Sequence, residues 1–199
     1  MIKAIFFDLH EVVTHGDFLG IYKNFAERVG IPLEMVVNYH DENIRGLLTG
    51  AVTSEQMHSV FGLGDRFTVE EMMQIWEEET VKIMTMDPQM ILLLKSLRET
   101  YTLVALTNLT EQRYRADITM GLYDYFDHAI LSFKEGVKKP DPAFFSQALS
   151  LSKVKSEEVL FIDDQLKNTE AAESLGIKSI QFTDYEILVH KLADLGIKF

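Results

Sequence analysis

Short apolar runs, each stopped by a polar residue, recur along the chain. Ile2 to Phe7 is largely apolar and ends at Asp8, which predicts a strand buried on both faces, as in a parallel sheet. Thr102 to Leu106, Val159 to Ile162 and Lys178 to Phe182 repeat the pattern, with a weaker version at His128 to Leu131. Helical signals separate these runs. Asp87-Pro88 sets a capping acid before a proline and opens a helix through Leu97, and Asp141-Pro142 does the same before Ala143 to Leu149. Ala171, Ala172 and Leu175 share one helical face that Gly176 ends. Strand and helix in this rhythm predict a doubly wound, Rossmann-like parallel sheet of the α/β class.

Residues 15–84 break the rhythm and predict helices only. Ile21, Phe25 and Val29 have helical spacing, and Thr53 to Gln56 and Thr68 to Glu71 each match a capping box. The expected division is therefore an α/β core, 1–14 and 85–199, with an all-helical cap inserted at 15–84.

Composition narrows the function. The 199 residues suit one domain with a small insert, and 47% hydrophobic against 25% charged residues is a globular balance. The longest apolar runs, such as Ile91 to Leu94, are too short to cross a bilayer. The N-terminal run leaves no room for a signal peptide, so a cytoplasmic location is expected. No cysteine is present, which removes disulfides, thiolate zinc sites and a cysteine nucleophile. A net charge of −12 repels nucleic-acid backbones, so neither nucleic acid nor membrane is an expected partner, and the chain is expected as a monomer or homodimer. A small phosphate ester remains compatible, because a bound cation and a lysine can reverse the local field.

In an open α/β sheet, ligands bind beyond the carboxyl ends of the strands. Asp8, Thr107-Asn108 and Asp163-Asp164 stand at those ends, and Lys139 lies in the connection leading to the Asp141-Pro142 helix. Taken singly, an acid there is a helix cap, Thr-Asn is turn chemistry and a lysine is a solvated surface group. Taken together they converge. Several carboxylates at one point repel unless a hard cation such as Mg²⁺ joins them. A hydroxyl and a lysine supply what a phosphoryl group needs, and with no cysteine and no Gly-x-Ser-x-Gly the natural nucleophile is a carboxylate.

These residues resemble the four motifs of the haloacid dehalogenase-like hydrolase superfamily, over almost the whole chain. Ile5-Phe-Phe-Asp8 resembles the first, whose acid attacks phosphorus. Leu106-Thr107-Asn108 resembles the second, which holds the phosphate. Val137-Lys-Lys139-Pro-Asp-Pro resembles the third, and Leu160-Phe-Ile-Asp163-Asp164 through Asn168 the fourth. The resemblance implies Mg²⁺ held by Asp8, the residue 10 carbonyl and Asp164, with Asp163 alongside and Asn168 in support. It also implies a helical cap that selects the substrate, a small phosphorylated metabolite, and it runs nearest to sugar-phosphate phosphatases. Arg45 in the cap is a candidate for gripping a substrate anion.

One position departs from the family pattern. The usual second carboxylate of the first motif, which protonates the leaving group, is replaced by His10. Histidine has a suitable intrinsic pKa for that task, and the alternative is a residue that packs at the turn. Two other functions stay open: a metal-independent hydrolase of carbon–halogen bonds, and a non-catalytic binding protein on the same fold. The paired Asp163-Asp164 favours the phosphatase over the dehalogenase.

Overall fold

The computed structural model describes residues 1–199. Strand β1 (Ala4–Phe7) is followed by a two-residue strand β2 (Thr14–His15) and helices α1 (Phe18–Val29), α2 (Leu33–Leu48), α3 (Ser54–Val60) and α4 (Val69–Ile83). A second two-residue strand, β3 (Thr85–Met86), leads to α5 (Pro88–Arg98), β4 (Thr102–Thr107), α6 (Glu111–Thr119), β5 (His128–Leu131) and the short α7 (Ser132–Glu135). Then come α8 (Pro142–Ser152), β6 (Val159–Asp163), α9 (Leu166–Ser174), β7 (Lys178–Gln181) and α10 (Tyr185–Asp194).

Alternation along β1 sends Ile5 and Phe7 to one face and Ala4 and Phe6 to the other, and both faces are covered. Ile5 and Phe7 pack with Leu103, Leu160, Ile162 and residues of α5 and α10, whereas Phe6 packs with Val104, Phe161, Phe144 and Phe145. Burying each such large apolar side chain contributes about 1.5–3 kcal/mol. The result is the expected parallel sheet, in the order β5-β4-β1-β6-β7. The chain winds outward from β1 on one side and then crosses to the other, so β1 lies at the topological switch. Phe7 is level with Ala105 and Ile162, which puts Asp8 level with Asp163 and one residue short of Thr107. Register alone brings the three strand ends together.

The caps are where the residue pattern places them. Asp87 accepts from Gln89 N at 2.7 Å and Asp141 from Ala143 N at 2.9 Å, ahead of the first-turn prolines. Both capping boxes close, with Gln56 accepting from Thr53 N at 2.9 Å and Glu71 from Thr68 N at 2.7 Å. Helices α1 to α4 gather a separate cluster that includes Phe25, Met72, Met73 and Trp76. This helical insert leans on α6, where Arg115 meets Glu77 at 3.2 Å and Ser54 donates to Glu111 at 2.7 Å. The antiparallel pair β2–β3, which joins insert to sheet, was outside the expected elements, as were α6 and α10. No helix is long and apolar enough to cross a membrane.

Candidate active site

Beyond Phe7 the chain leaves the sheet in a tight turn. Asp8 N still donates to Ile162 O at 2.8 Å, and Leu9 N turns back onto Asp8 Oδ1 at 2.8 Å. Val13 N and Thr14 N both return to Leu9 O, at 2.8 and 2.9 Å. Closing the turn forces Glu11 to φ 62°, a left-handed conformation that costs a non-glycine residue about 1–2 kcal/mol. The turn fixes Asp8 as the buried tip of β1 and holds His10 just above it.

Lys139 is the hub. It is 1% exposed, and its ammonium lies 2.9 Å from Asp8 Oδ1 and 2.7 Å from Asp163 Oδ2. Its backbone is clamped by Asn108, whose Oδ1 accepts from Lys139 N at 2.8 Å and whose Nδ2 donates to Lys139 O at 3.0 Å. Asp163 is further held by Gln165 N at 2.8 Å and by Asn168 Nδ2 at 2.9 and 3.1 Å. Both of its oxygens are therefore committed. In contrast, Asp164 Oδ1 and Thr107 Oγ1 are buried with no protein partner.

The electrostatics follow from burial. Desolvation opposes the Lys139 charge, but the Asp8 and Asp163 carboxylates outweigh it and hold the ammonium above the ordinary lysine pKa. Burial, with the Asp8 charge, pushes Asp163 up against the pull of Lys139 and Asn168. Asp164 is raised by burial and then by the charges of Asp8 and Asp163. Ligand atoms of Asp8, Asp163 and Asp164 all lie within 4.8 Å of one another. Three carboxylates against one ammonium leave two negative charges in a buried place. A hard dication meets that need, and the unpartnered Asp164 oxygen gives it a ligand.

His10 is tied to a group that the sequence pattern did not reveal. Its Nε2 lies 3.3 Å from Oδ2 of Asp117, a fully buried carboxylate that also receives Arg113 Nε at 2.7 Å and Tyr123 OH at 3.3 Å. Burial opposes ionisation of Asp117, yet the His10 hydrogen bond and charge, with the Arg113 charge, hold its carboxyl below the usual range. An ionised carboxylate only accepts, so Nε2 carries the proton and Nδ1 makes no hydrogen bond within the protein. Arg113 and Asp117 are four residues apart on α6, a spacing that in the sequence reads as an ordinary helix-surface ion pair. Its burial, the Asp117 contact with His10 and Arg113 Nη2 reaching Thr14 Oγ1 at 3.2 Å show that this pair faces inward.

Arg45 stands in the last turn of α2. It shares a cleft of about 580 Å³ with Lys138 and Lys139. Burial lowers the Lys138 pKa, and the nearby Lys167 and Arg45 charges lower it further. His15 and His58 find partners elsewhere, in Glu11 and the Phe67 carbonyl, and Trp76, Met72 and Met73 pack within the insert.

Carboxylates and a hydroxyl at the strand ends around the switch point, joined by a lysine from the connection between α7 and α8, mark the candidate catalytic centre of this α/β fold. The haloacid dehalogenase-like hydrolase family model matches residues 2–176, and the chain belongs to that family. It is 38% identical over 66 residues to a glyceraldehyde 3-phosphate phosphatase of Pyrococcus furiosus, a match spanning 33% of this chain and 28% of the relative. To the Methanocaldococcus jannaschii protein of the same name it is 25% identical over 193 residues, 91% of this chain and 85% of the relative. Among solved structures it resembles a haloacid dehalogenase-family enzyme of Bacteroides thetaiotaomicron, determined in complex with magnesium and inorganic phosphate. That likeness has a TM-score of 0.73 at 20% identity, covers 94% of this chain and 99% of the other, and carries the fold alone.

Proposed function

We propose that this chain is a Mg²⁺-dependent phosphatase that hydrolyses small organic phosphate monoesters through a phosphorylated Asp8. The observation that carries this is the pairing of a lysine-bound Asp8 with two buried, unpartnered oxygens, Thr107 Oγ1 and Asp164 Oδ1, on neighbouring strand ends. An orphan hydroxyl and an orphan carboxylate oxygen fit a phosphoryl oxygen and a cation respectively. The relatives named as phosphatases and the magnesium-and-phosphate complex of the similar fold support it.

Asp8, the residue 10 carbonyl and Asp164 would hold the cation. When bound, Mg²⁺ supplies charge neutralisation between the Asp8 carboxylate and the phosphate, which otherwise repel. Asp163, with every oxygen taken, serves to hold Lys139 and Asn168 in place. An Asp8 carboxylate oxygen bonds to phosphorus as the bond from phosphorus to the ester oxygen breaks, and the alcohol leaves carrying one proton. Water then attacks the phosphoryl group, releasing inorganic phosphate and regenerating Asp8. Lys139 and Thr107 bear on the phosphoryl oxygens throughout. His10 acts in its doubly protonated form with Nε2–H held by Asp117: it gives the Nδ1 proton to the leaving oxygen and takes one back at Nδ1 from the attacking water.

Residues 15–84 act in this proposal as a cap over the site, with Arg45 and Lys138 drawing phosphate towards an otherwise acidic protein. The decisive experiment is turnover of acetyl phosphate with and without Mg²⁺, using the parent and Asp8→Asn. Metal-dependent turnover lost in the variant supports the proposal. Turnover that persists in chelator, or in Asp8→Asn, refutes it. A dehalogenase would instead release halide from a 2-haloacid in chelator, and the charge imbalance around Asp164 disfavours that reaction.

A further inference from the structure

Between the helical insert and the carboxyl edge of the sheet lies a partly enclosed cavity of about 260 Å³. That is just under the ~300–1,000 Å³ of drug-sized ligand sites, so its occupant is compact. His10 and Asn108 line it, and they lie next in the chain to the Asp8 turn and to Thr107. A leaving group attached to a phosphate beside Asp8 would project into this space.

The walls have a distinct chemistry. Phe18, Tyr22, Ile44, Leu48 and Trp76 contribute apolar and aromatic surface, and no lysine, aspartate or glutamate lines the cavity. The one charged lining group, Arg113, holds Asp117 and Thr14 through Nε and Nη2, while its buried Nη1 has no protein partner. Most of the polar lining is committed too. The Asn108 amide is used on both sides by the Lys139 backbone, and Thr80 donates to Trp76 O at 2.8 Å. Thr110 Oγ1 accepts from Arg113 N at 3.3 Å. His40 is stacked with Trp76 at a centroid distance of 5.0 Å, and its Nδ1 donates to Val36 O at 3.1 Å. What remains open is the His40 Nε2 acceptor, the Tyr22 hydroxyl, the Thr110 hydroxyl proton and the buried Nη1 of Arg113, beside the His10 nitrogen already assigned to chemistry.

A polyhydroxylated leaving group would set hydroxyls against walls whose larger share is apolar, so those lying against Phe18, Ile44, Leu48 and Trp76 would have no partner. Each hydroxyl left unpaired weakens binding by roughly ten- to a hundredfold. An aromatic or branched alkyl group gains from the same walls by burial and ring packing. We infer that the site is built for phosphate monoesters of compact apolar or aromatic alcohols with few hydroxyls, and disfavours sugar phosphates. This inference rests on the phosphatase proposal above.

The test compares kcat/KM for 2-phenylethyl phosphate and glucose 6-phosphate with Mg²⁺, both primary alkyl esters, alongside acetyl phosphate, which has no group to fill the cavity. The expected result is a preference of about a hundredfold or more for the phenylethyl ester, from two or more unpaired hydroxyls on the sugar. Ile44→Asn and Phe18→Ala change wall residues that are 42% and 40% exposed, so the fold should tolerate them. Each should shrink the phenylethyl-to-glucose ratio by about tenfold. Acetyl phosphate turnover with glucose 6-phosphate equal or preferred, or wall variants that leave the ratio unchanged, overturns the leaving-group inference alone. No turnover of acetyl phosphate overturns the phosphatase proposal and the inference with it.

Discussion

Replacing Lys139 by methionine keeps most of the side chain's length and removes the one cation among the buried Asp8 and Asp163 and the half-buried Asp164. Nζ lies 2.9 Å from Asp8 and 2.7 Å from Asp163, and the side chain is 1% exposed. At an effective dielectric of about 20, each contact is worth on the order of 6 kcal/mol of Coulomb energy. The measurable cost is smaller, because an abandoned carboxylate can take up a proton. Removing one partner of a buried pair typically costs about 3–5 kcal/mol. Against a total stability of about 5–15 kcal/mol, that is a large fraction, equivalent to a fall of roughly 6–20 °C in Tm at pH 7 without metal. The pH dependence has a definite sign. Burial and neighbouring charge already hold Asp163 and Asp164 above the ordinary carboxylate pKa, so these groups bind protons more tightly folded than unfolded. Their contribution to stability therefore falls as pH rises from the unfolded value through the folded one, and is regained on acidification. Without Lys139 this effect grows, and the deficit of the variant should narrow as pH falls from 7 towards 5. Saturating Mg²⁺ should recover about 2.7 kcal/mol at a hundredfold excess over Kd, while kcat stays about 10²–10³ below the parent. Urea unfolding with and without Mg²⁺ at both pH values measures all of this. A metal-free variant within about 1 kcal/mol of the parent at pH 7, or a deficit that widens on acidification, would refute the argument.

Further predictions are narrower. Asp164→Asn removes a buried negative charge and a cation ligand together, so metal-free stability should rise while the Mg²⁺ concentration for half-maximal activity increases at least ~10-fold; a thermal melt and a metal titration of turnover show whether the signs are opposed. His10→Ala should slow hydrolysis of alkyl phosphates by about 10²–10⁴ and that of p-nitrophenyl phosphate far less, since nitrophenolate leaves without a proton; equal losses on both esters would make His10 a turn residue. Burial lowers the His40 pKa from its ordinary 6.5 more than the Val36 hydrogen bond and Asp41 raise it. The folded state thus binds fewer protons there than the unfolded one, and stability should drop as pH falls below about 6.5. His40→Phe should flatten that limb in urea titrations between pH 7 and 5, and an unchanged slope would assign the limb elsewhere.

The parallel sheet could be read from the residue pattern because strands buried on both faces must be apolar runs, and Ile2 to Phe7, Thr102 to Leu106 and Val159 to Ile162 have few other ways to fold. Asp87, Asp141, Thr53 and Thr68 were equally legible, since a cap is a local contact settled within four residues. The grouping of Asp8, Thr107 and Asp164 followed from where strands end, and that of Lys139 from its place in the connection before the Asp141-Pro142 helix. Their division of labour did not. Asp163 and Asp164 are adjacent acids in the sequence, and only packing commits both oxygens of Asp163 to Lys139, Asn168 and Gln165 while leaving an Asp164 oxygen free. Helix α6 escaped notice because the face it buries, Gln112, Arg113, Ala116 and Asp117, is mostly polar, and hydrophobic periodicity is blind to such a face. The two-residue strands β2 and β3 are too short to carry any period. The partner of His10 is 107 residues away, on that same polar helix. Contacts of that kind exist only once the core has collapsed, because burial is what turns a charged pair on a helix into an anchor for a distant histidine.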